Sequence, residues 1–399
     1  MKQFDRTIRY SLIQSFYWMA FAAVMSFSGV YLLGCGFTNS LIGLIVAFCG
    51  LISAFGQTAI AGYIDRTGGS KLKPTLFLLL GILLALSVIS LLLTANAPFI
   101  AGIFFSVEVA LLQIVLPLVN SLAVGLEPAE GATNFGVARG LGSLAYAAAA
   151  ALLGSWAAIW GVKSIPAALI VIYGLLLVSV FIFQYHSAAN KNSTKNETLN
   201  NTSQNKTAPS ASGSFLGRYP RFALLLAGAM CVYISHSLIN SYAIQIMNTK
   251  GWDSVVMGNA AAIAAVSELP LMFCFAFLTK KKPVSFWLRI SGIAFFLKTF
   301  FTLLSGSIAM FYGIQVIQMF GWAIISVASV AYVDKLLPAE DAVKGQSYFT
   351  MSYTAATVIA GLMGSAMIDR FGMNPVLVIG SVLAGIGAVI MFIFVENVE

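Results

Sequence analysis

Runs of about twenty apolar residues follow one another along almost the whole chain, broken by short polar gaps. An α-helix rises about 1.5 Å per residue, so a run of that length crosses a hydrocarbon core about 30 Å thick. Such runs fall at residues 10–33, 41–64, 74–95, 98–124, 134–160 and 164–184, and again at 221–245, 254–279, 284–305, 308–333, 344–368 and 373–395. In lipid every backbone N–H and C=O must find its partner inside the protein, and runs of this length satisfy that requirement as helices. The chain is 59% hydrophobic and 9% charged, more apolar surface than a soluble domain can bury. The predicted fold is therefore an all-α integral membrane protein: twelve transmembrane helices, six plus six, in two bundles. The first run is read as a span and not a cleaved leader, because no small-residue cleavage site closes it.

Residues 188–214, AANKNSTKNETLNNTSQNKTAPSASGS, separate the two halves. This segment is rich in Asn, Ser, Thr and Lys and almost lacks large apolar groups, so it is predicted to be a disordered linker. The domains expected are 1–187, the linker, and 215–399. Lysine and arginine set the orientation. Lys2, Arg6, Arg9, Arg66, Lys71, Lys73, the linker lysines, Arg218, Arg221, Lys280–Lys282, Lys335 and Lys344 fall on one side; Lys163, Lys250 and Arg370 fall on the other. The basic side is expected to be cytoplasmic, with both termini there and the protein in the cell membrane. The net charge of +8 is spread over these gaps, so it marks orientation and not nucleic acid binding.

Several classes are excluded. Cys35, Cys49, Cys231 and Cys274 sit in or beside apolar runs without metal-ligand spacing, and are read as packing residues. There is no nucleophile–base pair to read, no nucleotide-binding loop, and no cofactor or metal is expected. The chain is not expected to be an enzyme. A membrane sensor has no soluble signalling domain to support it.

The informative residues are the ionisable ones within the apolar runs. They are Glu108 in the fourth span, Arg139 in the fifth, Glu268 in the eighth and Lys298 in the ninth. Such groups are costly in a bilayer, about 2.5–3.5 kcal/mol at a helix centre on insertion scales, and characteristically pair around a polar cavity. Two acids and two bases balance, which predicts pairing across one shared cavity. In Asn134 to Gly154, NFGVARGLGSLAYAAAAALLG, Arg139, Gly142 and Tyr146 recur at helical spacing on one face. That face offers forked donors, an open patch and an aromatic plate, suited to a small hydroxylated ligand. The alternative is an arginine snorkelling from a helix end beside a packing tyrosine. His236, with Ser235, Ser237 and Asn240, forms a polar stripe in the seventh span; Gln315 and Gln318 add amides in the tenth.

The loop GYIDRTGGSKLKP (62–74) carries Gly62, Asp65, Arg66 and Gly68, and resembles the gating loop of the major facilitator superfamily; a related ending recurs at Gly364–Gly372. FGVARGLGSLAYA (135–147) is similar to the fifth helix of the lactose permease group, the oligosaccharide:proton symporters. The resemblance puts Arg139 on that family's substrate-binding arginine and Tyr146 on the aromatic that stacks against the sugar. AVSELPLMF (265–273) resembles the stretch with the family's essential glutamate, here Glu268. Lys298 falls where the family has an arginine of its coupling network, and His236 and Asn240 where it has a tyrosine and an aspartate. The likeness covers most of the chain, with its specific segments in the fifth and eighth helices. It departs elsewhere. The acid that partners the arginine becomes Ser121 beside Asn120, the proton-handling pair of the tenth helix becomes Gln318 and Gly321, and a charged pair between the seventh and eleventh helices becomes Ser237 and Ser352.

The resemblance implies a secondary transporter that moves a small hydroxylated solute (a sugar, glycoside or nucleoside) by alternating access, with proton symport favoured. The substrate-binding candidates are Arg139, Tyr146, Glu268, His236 and Asn240; the coupling candidates are Glu268, Lys298 and Glu108. The rivals are an exporter of amphipathic compounds, whose cavity Phe295, Phe296, Phe300 and Phe301 would line, and an uncoupled facilitator. The partners expected are the solute, a proton and the lipid bilayer, with the chain a monomer.

Overall fold

The structure is a computed structural model that describes residues 2–67, 70–124, 135–183 and 215–398. The expected linker, 188–214, lies outside these. The described residues form helices α1 (Lys2–Phe21), α2 (Ser28–Gly34), α3 (Asn39–Arg66), α4 (Leu72–Leu93), α5 (Pro98–Val124), α6 (Phe135–Trp160) and α7 (Ser164–Ile182), then α8 (Phe215–Arg218), α9 (Pro220–Ser241), α10 (Ala243–Thr249), α11 (Ser254–Lys281), α12 (Val284–Leu304), α13 (Ile308–Gln315), α14 (Ile324–Leu336), α15 (Ala339–Phe371) and α16 (Met373–Phe394). Among the described residues eleven helices or helix pairs are long and apolar enough to span, and the bent pair α1–α2 makes a twelfth.

The expected span positions hold closely, with one correction at the start. The first span does not begin at residue 10; α1 is already helical from Lys2, and the chain then passes through a π-helical turn (Ala22–Ser26) and bends by 48° into α2. A polar N-terminal stretch can continue a helix past the membrane boundary, so the apolar run marks the buried part and not the helix end. The tenth span is broken in the same manner. A π-helical turn, Met319–Ala323, joins α13 to α14. Such turns release backbone groups and re-aim side chains, and they concentrate at functional sites.

The polarity of the fold is that of a membrane protein. Large apolar side chains such as Phe55, Ile159, Phe181 and Phe392 lie on the outside, while Glu108, Lys298, His236 and Gln318 are buried within. In the first half α1 packs on α6 and α7, and α4 on α5 and α7; in the second half α16 packs on α9 and α12, and α12 on α14. The halves meet chiefly through two helix pairs, α6 with α11 and α3 with α15, with smaller contacts of α10 on α2 and of α9 on the first π-helical turn.

Glycine makes these meetings close. At the end of the bundle away from the chain termini, Gly154 of α6 faces Gly258 of α11, and a Cβ on Gly154 would stand 3.2 Å from the Gly258 Cα. Ser254 Oγ donates to the Gly154 carbonyl at 2.9 Å. In the other pair, a Cβ on Gly43 would overlap the Gly361 carbonyl and Ser365. There too, Asn39 Nδ2 donates to Asp369 Oδ1 at 3.0 Å and the Ser40 backbone N–H donates to Asp369 Oδ2 at 2.9 Å, with the Ser40 hydroxyl on the same oxygen. Gln245 Nε2 of α10 donates to Asn39 Oδ1 at 3.0 Å. Hydrogen bonds thus tie the two halves together on this far face.

Candidate functional site

Arg139 sits in the first turns of α6, half-buried. Its guanidinium lies over the Trp18 ring of α1, 3.8 Å from the centroid, and its Nη1 donates to Ser143 Oγ at 2.6 Å, one helical turn along. Trp18 is itself held: its Nε1 donates to Gln14 Oε1 at 2.9 Å, and Gln14 Nε2 donates to Asn120 Oδ1 of α5 at 3.1 Å. A cation–π contact contributes about 0.5–2 kcal/mol. Taking one ion out of water costs several kcal/mol. Trp18 alone therefore does not compensate the arginine.

Arg139, Gly142 and Tyr146 do share a face, but that face is turned to α1. The patch expected to be open at Gly142 is occupied: a Cβ there would approach Trp18 Cδ1 to 2.7 Å, so glycine seats the indole instead of leaving room for a ligand. Tyr146 bonds Ser26 of the first π-helical turn at 2.7 Å between hydroxyl oxygens. Ser121, which stands where the resemblance expects an acid, turns back to the Pro117 carbonyl of its own helix.

From the second half come Glu268 of α11, Lys298 of α12 and Gln318 beside the second π-helical turn. Lys298, 4% exposed, donates to Gln318 Oε1 at 2.5 Å. Glu268 hydrogen-bonds the Gln318 side chain and interacts electrostatically with Lys298 and with Arg139. One amide therefore bridges the acid and the base, and the carboxylate also lies within electrostatic reach of the arginine of the opposite half. Tyr146 interacts electrostatically with Glu268 as well. Pro270 lies within α11, which runs unbroken from Ser254 to Lys281.

His236 of α9 is stacked on Trp322, with centroids 4.8 Å apart and planes at 13°, and meets the Phe295 ring edge-on at 5.2 Å. Asn240 Nδ2 donates to His236 Nε2 at 2.8 Å. His236 also interacts electrostatically with Lys298. Tyr233 and Tyr353 complete an aromatic cluster around Trp322.

The fold thus gathers Arg139, Tyr146, Glu268, Lys298 and His236 with Asn240 at the junction of the halves. It does not bring Glu108 there. Glu108 of α5 is fully buried inside the first half, where Ser87 Oγ donates to its Oε2 at 2.8 Å and Ser90 Oγ to its Oε1 at 3.5 Å. The expected balance of two acids and two bases around one cavity is corrected accordingly: the junction holds Arg139, Lys298 and Glu268, and serine hydroxyls serve Glu108 instead of a base. Phe296 and Phe300 line an apolar crevice between α12 and α16, together with the exposed Val382, Ile386 and Val389, on the lipid side. Of the gating loop, Gly62, Asp65 and Arg66 fall on the last turns of α3, and Gly68 lies outside the described residues. The four cysteines are free. Among the described residues no cluster of His, Cys, Asp or Glu could hold a metal ion.

Trp18, Gln14 and Trp322 were not singled out from the sequence. Tyr10, Gln14 and Trp18 recur every four residues on α1, and that polar and aromatic stripe in an apolar run was the available signal. Trp322 carried none, because its direction depends on the π-helical turn.

A helical membrane fold of two halves, with charged residues from both at their junction, is the architecture of a carrier. The chain belongs to the MFS_1 like family, whose profile matches residues 7–383. It is a secondary transporter of the major facilitator type and not an enzyme. Similar solved structures include the nucleoside transporter NupG, with a TM-score of 0.73 and 14% identity over 97% of this chain and 98% of that one. A D-xylose-proton symporter aligns with a TM-score of 0.67 and 16% identity over 100% and 99%. An inward-open xylose transporter XylE from E. coli gives 0.67 and 14% over 99% and 97%. No curated protein matches the sequence.

Proposed function

We propose that this transporter carries a small hydroxylated solute, of the sugar, glycoside or nucleoside kind, by alternating access with a proton. The observation that carries this reading is that Arg139 from the first half and Glu268 from the second interact electrostatically across the junction without an ion pair between them. A solute that touches both binds the halves together, and only rocking of one half on the other exposes it to the opposite side. Nucleoside and xylose transporters among the similar structures support the solute class.

Glu268 is the proton carrier in this reading, since Gln318 and Gly321 hold no titratable group. Lys298, reached through Gln318, and Arg139 compete for its charge. A solute that takes up Arg139 weakens one of those competitors, and protonation of Glu268 is thereby linked to occupancy. Glu108, which serine hydroxyls serve inside the first half, braces α4 against α5 in place of coupling. Arg139, Tyr146, His236 and Asn240 supply the solute contacts.

The lysine and arginine distribution puts both termini in the cytoplasm of a cell in whose plasma membrane the monomer sits. The seal at Asn39, Gln245 and Asp369 then closes the outside, and the described conformation faces inward. The experiment is uptake by proteoliposomes with and without an imposed pH gradient, using labelled xylose, uridine and glucuronate. Accumulation driven by the gradient supports symport; equilibration without accumulation in any imposed ion gradient makes the protein a facilitator.

A further inference from the structure

The charge at the junction does not balance. Arg139 and Lys298 bring two cations, and among the described residues Glu268 is the one carboxylate that interacts with either. His236 adds no compensation, since an imidazole brings no negative charge, and its Nε2 is already hydrogen-bonded to Asn240 at 2.8 Å. Glu108 is held inside the first half by Ser87 and Ser90.

Glu268 also leans toward one of its two cations. It and Lys298 share the Gln318 amide, with Lys298 at 2.5 Å from the amide oxygen. Arg139 has no comparable link: among the described residues no carboxylate oxygen lies within 4.0 Å of it. Its plane is covered by Trp18, which contributes no hydrogen bond acceptor, and one contact to Ser143 is the hydrogen bond its side chain makes. A guanidinium has five N–H donors. None of its nitrogens is a buried atom without a partner, so the unspent donors face accessible space. The fork is fixed against an indole, open at its edge and one negative charge short.

We propose that the solute is itself an anion: a hydroxylated monocarboxylate of the sugar-acid class, whose carboxylate docks in the Arg139 fork. Planar bidentate pairing of guanidinium and carboxylate fits the free edge. One carboxylate offsets the charge of the Arg139 guanidinium, the cation that Glu268 does not reach through Gln318, and it leaves Glu268 free to carry the proton. Ser143 and Asn240 are hydroxyl and amide partners for the remaining oxygens. The proposal rests on the reading of this cluster as the solute site. It also sets the electrical signature, since one anion moving with one proton carries no net charge.

The test is calorimetric binding to the purified full chain with isosteric pairs, glucuronate against glucose and galacturonate against galactose, with xylose and uridine as further neutral probes. One acid is expected to bind at least about tenfold tighter than its neutral isostere. Arg139→Gln should abolish that preference, and Arg139→Lys should keep part of it, because the charge remains and the fork is lost. The wild-type comparison is decisive without any variant. If neutral members bind as tightly as the acids, or no acid binds, the anion is excluded. If acid binding survives Arg139→Gln, the docking is excluded. The site reading fails separately, when binding of whichever probe binds is unchanged in Tyr146→Ala and Glu268→Gln.

Discussion

Asp369, in the last turn of α15, accepts hydrogen bonds from Asn39 and Ser40 in the first turn of α3, so a carboxylate from one half caps a helix that belongs to the other. The orphan N–H groups of a helix start favour such an anion, and losing a cap costs about 0.5–2 kcal/mol. Because the cap exists only while the halves touch at this face, that energy weights one conformation against the other.

Asp369→Ala is therefore expected to open the far face several-fold more often without unfolding either half. Spin labels at Asn96 and Gly306, both exposed turns on that face in different halves, read the change on a background free of the native cysteines. A longer distance population should grow in the variant. An unchanged distribution would remove the cap from the gating account.

Trp18 should matter to binding although the resemblance assigns it nothing. Trp18→Ala leaves Arg139 without its aromatic cover and is expected to weaken solute binding about five- to thirtyfold, while Trp18→Phe retains much of the platform. Calorimetry on both variants checks this, and equal affinities for wild type and Trp18→Ala would contradict it.

Glu108 gives a stability prediction. Glu108→Ala strips Ser87 and Ser90 of their acceptor inside a dry bundle, at about 1–3 kcal/mol. The melting temperature should fall, while Glu108→Gln, which preserves shape and an acceptor oxygen, should fall less. Solute affinity of the folded protein should be unchanged in both. Loss of gradient-driven uptake in Glu108→Gln with normal melting would instead place this carboxyl in coupling.

Much of this was legible in the sequence because the bilayer demands it. Span length, the six-plus-six order and the placement of Arg139, Glu268 and Lys298 on spans follow from apolar runs and isolated charges. What each side chain meets did not follow. Gly142 read as an opening and holds Trp18. Glu108 read as a partner for a base and is served by two serines on α4, because helix rotation, set by packing, decides which side of α5 turns inward. The bend after Phe21 and the turn at Met319–Ala323 leave no mark in hydropathy, yet they aim Ser26 at Tyr146 and put Trp322 under His236.

The coupling of Arg139 and Glu268 across the two halves is tested most directly by coupled uptake. Proteoliposomes are given an imposed pH gradient and whichever labelled probe calorimetry shows to bind, and wild type is compared with Glu268→Gln. The account predicts that wild type accumulates the solute above equilibrium, and that Glu268→Gln still exchanges labelled for unlabelled solute but no longer accumulates it. Accumulation by Glu268→Gln equal to wild type would contradict it.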